Sequence, residues 1–255
     1  MIMPTFEEEL KRLMPTVLRL SSFALLGKKL LVKGAENFVR EGGSVIVGNH
    51  IGTFKDVGAL LKAVPRPIFF TANKDIFIYK DFNRLVLKHL RRHLKGLGPY
   101  INVLLKPLKI LFVNYISSNV SKVGTIPVDM YSRKSLAIEK CQEYVKKGRA
   151  IIALQGRGRI MKRDPFPYVH PFRRGASIVA YNLYRNENIS VPVTPIAFFG
   201  THIAFGVPGT VYLRVGEPMF VRDYWVEDMA VTIERFRYAL ENRVKQMILE
   251  ILRSR

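Results

Sequence analysis

The chain alternates between short apolar runs bounded by turn formers and longer stretches in which apolar residues recur at helical spacing. Residues 44–48, Ser-Val-Ile-Val-Gly, form a run that predicts a buried strand, and residues 67–71, 150–154, 190–199 and 211–215 predict four more. Between them, residues 56–64 predict a helix ended by Pro65, residues 135–147 a helix stopped by Gly148, and residues 232–252 a closing helix. Strands alternating with helical stretches imply an α/β fold, a central and mostly parallel sheet flanked by helices. Residues 189–213 carry no Asp, Glu, Lys or Arg and are long enough to span a bilayer. Pro192, Pro195, Gly200, Gly206, Pro208 and Gly209 interrupt them, so they read as strand plus loops.

Two segments stand outside the alternation. In residues 6–32, Leu10, Leu13, Met14, Val17, Leu18, Phe23, Leu25 and Leu26 are apolar, while Lys11, Arg12, Arg19, Lys28 and Lys29 are basic. Pro15 and Gly27 divide this stretch into an expected pair of short amphipathic helices. Such a pair suits a membrane surface; it equally suits a helix docked on the domain with a solvated basic face. In residues 80–122, Lys80, Arg84, Lys88, Arg91, Arg92 and Lys95 sit among leucines, and residues 97–116 follow with only Lys106 and Lys109 charged. A cationic helix joined to an apolar one reads as an interfacial insertion, because Lys and Arg meet anionic head groups while the apolar face enters the acyl boundary. The competing reading is a core helix and its solvated face.

Composition narrows the partners. The 255 residues are 48% hydrophobic, enough for a packed core. They carry 41 Lys+Arg against 20 Asp+Glu, a net charge of +21, which calls for an anionic partner: nucleic acid, an anionic membrane, or a phosphorylated substrate. No nucleic-acid motif accompanies the charge, so nucleic acid is not expected as a partner. Glu7, Glu8 and Glu9 open the chain where a secretory leader would be basic. The single cysteine, Cys141, excludes an intrachain disulfide and fits a reducing compartment. His89 and His93 have a spacing compatible with zinc but no acidic or cysteine partner nearby, and no metal is expected.

The chemistry centres on Asn49-His50, which follows the first predicted strand and precedes a helix. A strand end places a histidine at the carboxyl edge of the sheet, where α/β proteins bind ligands. Imidazole is well matched to proton abstraction near neutral pH, and a nearby carboxylate fixes its tautomer; Asp56 is the local candidate.

Five motifs occur in order: Asn49-His50 with Asp56; Gly124-Thr125-Ile126-Pro127-Val128-Asp129; Gln155-Gly156-Arg157-Gly158-Arg159; Phe172-Arg173-Arg174-Gly175-Ala176; and Val191-Pro192-Val193-Thr194-Pro195. With Arg214-Val215-Gly216-Glu217-Pro218 as a late strand, the chain resembles the glycerolipid acyltransferases, specifically the 1-acylglycerol-3-phosphate acyltransferase family, from about Val32 onward. The basic amphipathic pattern marks residues 1–34 as a membrane-docking segment; the resemblance implies an acyltransferase domain over residues 35–255, which contains the 80–122 insertion. It implies direct acyl transfer from acyl-CoA or acyl-carrier protein as co-substrate, with no resident cofactor, to a lysophospholipid. His50 and Asp56 would be catalytic. Asn49, Thr53, Arg133, Gln155, Gly156, Arg157, Arg159, Arg173 and Arg174 would bind substrate. The expected setting is the cytoplasmic face of an anionic membrane, as a peripheral or monotopic protein.

The sequence also departs from that family. Five residues, not four, separate His50 from Asp56, which puts Lys55 where the acid is expected. Thr53 as N-cap with Asp56 three residues on would restore the contact, the extra residue being absorbed beside Gly52. Met130 stands for an arginine that Arg133 would replace, Gln155 stands for a glutamate, and Gly158 takes the place of the motif arginine between Arg157 and Arg159. These changes keep two alternatives open: a different acceptor, such as glycerol 3-phosphate or another lysolipid, and a lipid-binding relative without catalysis.

Overall fold

The computed structural model describes residues 5–93, 103, 106–129 and 134–254. Among them are seven strands: β1 (Lys28–Lys33), β2 (Ser44–His50), β3 (Ile68–Asn73), β4 (Ile126–Val128), β5 (Ala150–Gly156), β6 (Val193–Phe199) and β7 (Gly209–Val215). The helices of two turns or more are α1 (Phe6–Ala24), α2 (Phe54–Ala63), α3 (Tyr79–His93), α4 (Lys106–Asn119), α5 (Lys134–Lys146), α6 (Gly175–Glu187) and α7 (Met229–Arg253). All five predicted strands and the three predicted helices of the alternating pattern are present within a few residues of the expected bounds. The fold is α/β with mostly parallel pairing; the antiparallel ladder is β6 with β7.

The chain forms two compact units. The larger, Pro15–Phe69 with Ile138–Arg255, holds β1, β7, β6, β2 and β5 in that hydrogen-bonding order. Every residue of β6 is buried, as is all of β2 except His50 at its end. A strand covered on both faces needs an apolar run, which residues 45–48 and 195–199 supply. Pro195 is tolerated inside β6 because the ladder to β7 starts one residue later, at Ile196 opposite Val215. Helix α7 packs across β6 through Ile233, Phe236, Leu240, Val244, Met247 and Ile251, a stripe at three- and four-residue spacing. Burying each such side chain stabilises the fold by about 1.5–3 kcal/mol. Asp228 caps α7, its Oδ1 accepting the Val231 amide at 2.9 Å.

The smaller unit, Met1–Met14 with Phe70–Ala137, contains the parallel β3–β4 pair and a packed α3–α4 pair, in which the Phe82 and Phe112 rings lie 6.1 Å apart. Val113 is fully buried, whereas Leu108 and Leu111 of α4 are about two-thirds exposed, at 62% and 67%. In the β4 motif, Ile126, Pro127 and Val128 pair with Thr71, Ala72 and Asn73, and the Asp129 carboxylate meets the Lys74 ammonium at 2.7 Å, which raises the Lys74 pKa.

The N-terminal expectation needs correction. The predicted helical pair is one helix and one strand. Helix α1 runs through Pro15 rather than ending there, and begins on a reciprocal cap in which the Thr5 amide donates to Glu8 at 2.8 Å and the Glu8 amide to Thr5 Oγ1 at 3.3 Å. Gly27, in the left-handed region at φ 74°, then turns the chain into β1. The segment Lys-Lys-Leu-Leu-Val-Lys pairs in parallel with β7, its lysines marking a sheet edge that resists pairing with another chain.

Candidate active site

His50 ends β2, directly opposite Gly156 at the end of β5. Its Nδ1 lies 2.8 Å from Asp56 Oδ2. That same oxygen accepts the backbone amides of Ile51 at 3.0 Å and Gly52 at 2.8 Å. A carboxylate only accepts, so the proton of this pair sits on Nδ1 and leaves Nε2 with the free lone pair of a base. Asp56 is fully buried; the His50 side chain is 23% exposed, so the base reaches solvent while its orienting group does not. Asp56 Oδ1 is buried without a partner among the described residues.

The extra residue between His50 and Asp56 is accommodated, but not where the sequence suggests. Gly52 is not the strained position: a Cβ there would lie 2.2 Å from Thr201 Cβ, so glycine is needed for close approach to the strand-end loop. The unusual backbone belongs to Thr53, at φ 54° and ψ −120°. A β-branched residue in that region costs roughly 1–3 kcal/mol and is held by its surroundings. Thr53 occupies the N-cap of α2 but makes no side-chain cap; its hydroxyl donates to the Gly158 carbonyl at 3.3 Å. Lys55, at the position expected for the acid, turns away: it is buried, and its ammonium donates to the Ile203 carbonyl. Burial, then the Lys28 charge, lowers its pKa against the opposing pull of Asp56.

The turn after β5 closes over the histidine. Gly156, at φ 137°, leaves no room for a side chain, since a Cβ would meet the His50 carbonyl oxygen at 2.6 Å. The Gly158 amide donates to that carbonyl at 3.1 Å. Between and beyond these glycines, the Arg157 and Arg159 side chains are exposed, and neither has an ion pair among the described residues. The Arg159 carbonyl accepts from His170 Nε2 at 3.0 Å, which fixes the turn from behind.

Several expected substrate contacts are spent on scaffolding. Asn49 is fully buried; its amide donates to the Tyr168 and Phe198 carbonyls, both at 2.9 Å, and its oxygen accepts the Phe198 amide at 2.7 Å. It therefore clamps β2 to β6 and aims the next residue, His50. Gln155 is buried, donating to the Ala153 carbonyl and accepting the Arg173 amide at 3.0 Å. The Arg174 guanidinium is engaged by Glu234. Arg133, and the side chains of His89 and His93, lie outside the described residues.

Two residues that sequence reading missed hold the Phe172–Arg174 segment. Glu241 accepts the Phe172 amide at 2.8 Å, and Arg237 donates to the Phe172 carbonyl at 3.0 Å while pairing with Glu241 at 3.1 Å. Burial opposes the Arg237 charge, but the hydrogen bond and charge of Glu234 outweigh it and raise its pKa. The available signal was their place on the apolar stripe of α7, where charged residues four apart imply a buried pair.

No protein-family model and no curated protein matches the chain. Among solved structures it is similar to the 1-acyl-sn-glycerophosphate (LPA) acyltransferase PlsC from Thermotoga maritima, with a TM-score of 0.60 and 22% identity, over 100% of this chain and 85% of that one. The likeness is one of fold.

Proposed function

We propose that the protein is a membrane-associated O-acyltransferase that moves a fatty acyl group from a thioester to the hydroxyl of a lysophospholipid, with lysophosphatidic acid converted to phosphatidic acid as the leading reaction. The observation that carries this reading is the 2.8 Å contact from His50 Nδ1 to a buried carboxylate, on an Asn-His strand end that leaves Nε2 accessible. A histidine so arranged takes a proton at Nε2 and holds the resulting positive charge against Asp56.

In the proposed reaction, Nε2 removes the proton from the acceptor hydroxyl as its oxygen attacks the thioester carbonyl. The carbon–sulfur bond of the tetrahedral intermediate then breaks, and the departing thiolate takes the proton from His50. One ester and one free thiol result, and no group remains on the protein. The exposed Arg157 and Arg159, on the turn bonded to the His50 carbonyl, are assigned to the acceptor's phosphate. Acyl-CoA or acyl-carrier protein serves as donor.

Membrane association draws support from the chain's +21 charge and from the exposed leucines of α4. The attachment we propose is peripheral or monotopic, on the cytoplasmic face; no described helix is long and apolar enough to cross a membrane. A second acceptor reading, glycerol 3-phosphate or another lysolipid, stands beside the leading reaction: the pairing of Arg174 with Glu234 leaves fewer arginines for a phosphate monoester than the motif suggests, which favours a lysolipid with a less negative head group. Purified protein incubated with an acyl-CoA and a panel of these acceptors tests both: product with lysophosphatidic acid supports the leading reaction, product with another acceptor alone supports the second, and vesicle binding with no product anywhere supports a non-catalytic lipid-binding protein.

A further inference from the structure

The loop of residues 200–208 leaves β6 beside the His50 site, where Thr201 packs on Gly52. Two ammonium groups seat its backbone: Lys55 donates to the Ile203 carbonyl and Lys28 to the Val207 carbonyl. The Gly209 amide adds a bond to the Gly27 carbonyl at 3.1 Å. A loop tied down in this way could have turned its apolar side chains inward, yet Phe205 and Val207 stay exposed, at 42% and 47%. The Phe205 ring lies 5.1 Å from Phe23 and 6.2 Å from Phe54, and both of those are also exposed. Phe54 is only four residues from His50, so the aromatic group adjoins the mouth of the site. A fixed cluster of exposed rings of this kind marks an interaction surface rather than a scattering of single apolar residues.

Its charge identifies the partner. Residues 10–35 contain no Asp or Glu; Lys29, at the end of β1 beside the patch, is exposed, as is Arg19 on α1, one turn before Phe23. Residues 200–208 carry no charge, and the acid at the start of α2, Asp56, is fully buried. Aromatic rings at the centre with cations at the rim match the acyl boundary and the phosphates of a bilayer.

We infer that the Phe23, Phe54 and Phe205 surface seats on an anionic lipid bilayer and turns the mouth of the His50 site to the membrane. The inference rests on the lipid-substrate reading above, but its test needs no turnover. Co-sedimentation is measured with phosphatidylcholine vesicles, with and without added phosphatidylglycerol, for the full chain, Phe23→Ser/Phe205→Ser, Arg19→Glu/Lys29→Glu and His50→Ala. The aromatic double variant is expected to lose partitioning about tenfold or more, the charge-reversal double variant to lose the preference for anionic vesicles, and His50→Ala to bind like the unmodified chain. In parallel, Phe205→Trp is expected to gain a fluorescence component quenched by bromine-labelled acyl chains. Unchanged partitioning of the aromatic double variant together with an unquenched Trp at position 205 would overturn the inference. So would a finding that the patch instead holds two copies together, with the unmodified chain dimeric and the double variant monomeric by ultracentrifugation.

Discussion

Asp56→Asn separates charge from geometry at the site. Asp56 Oδ2 receives three donors, from His50 Nδ1, Ile51 and Gly52. An asparagine oxygen can receive the same three, so the loop and the imidazole orientation survive. What disappears is the negative charge facing the imidazolium as it forms. Two unit charges about 4 Å apart at an effective dielectric near 20 interact by about 4 kcal/mol. Losing that in the transition state slows the chemical step by roughly a thousandfold. Folding should change little, by about 1 kcal/mol, since charged hydrogen bonds become neutral ones. The assay is kcat for acyl transfer to lysophosphatidic acid, read beside a thermal melt. A variant that keeps kcat within about threefold of the unmodified protein would refute the assignment of Asp56 as the charge behind the base. Asp56→Ala is the contrasting control: it orphans two buried amides, each costing about 1–3 kcal/mol, and should lose stability as well as activity.

Three further outcomes follow from the same structure. Asn49→Ala leaves the Phe198 amide unpaired between β2 and β6 and should lower stability by about 3 kcal/mol, near 10 °C in Tm by calorimetry. Burial pushes the Cys141 thiol up to about 12, so iodoacetamide at pH 8 should label it only in the unfolded chain. The hydrogen bond from Arg237, with a further one from Arg174, holds the Glu234 carboxyl below the usual carboxylate range. A depressed pKa contributes stability that is present above the unfolded value, about 4.3, and is lost as pH falls through the folded value. Glu234→Gln should therefore show a shallower loss of stability than the unmodified protein in acid denaturation below about pH 4.

The readable parts of the chain were those governed by short-range rules. A run such as Ser-Val-Ile-Val-Gly is a buried strand wherever it folds, and the Asn-His pair at its end carries its own chemistry. The His50–Asp56 contact could be anticipated because both lie on one strand-to-helix turn. What could not be read depended on distant partners. β1 has neither alternation nor β-branched enrichment beyond Val32; it is a strand because the edge of β7 is there to pair with it. The left-handed backbone falls on Thr53, and Gly52 is glycine for another reason, the close approach of Thr201 about 150 positions later. Arg174 reads as a phosphate ligand until α7 supplies Glu234. Asn49 reads as a substrate contact until Phe198 of β6 and the Tyr168 carbonyl take its hydrogen bonds.

The central claim is that His50 is the base of an acyl transfer, and the most direct measurement is the rate of phosphatidic acid formation by His50→Ala from acyl-CoA and lysophosphatidic acid. The side chain is partly exposed, and the backbone bonds through its carbonyl do not need the ring. The variant should therefore melt like the unmodified protein and bind vesicles equally well, yet form no product above the uncatalysed rate. Equal rates for the two proteins would contradict the account and remove His50 from the mechanism.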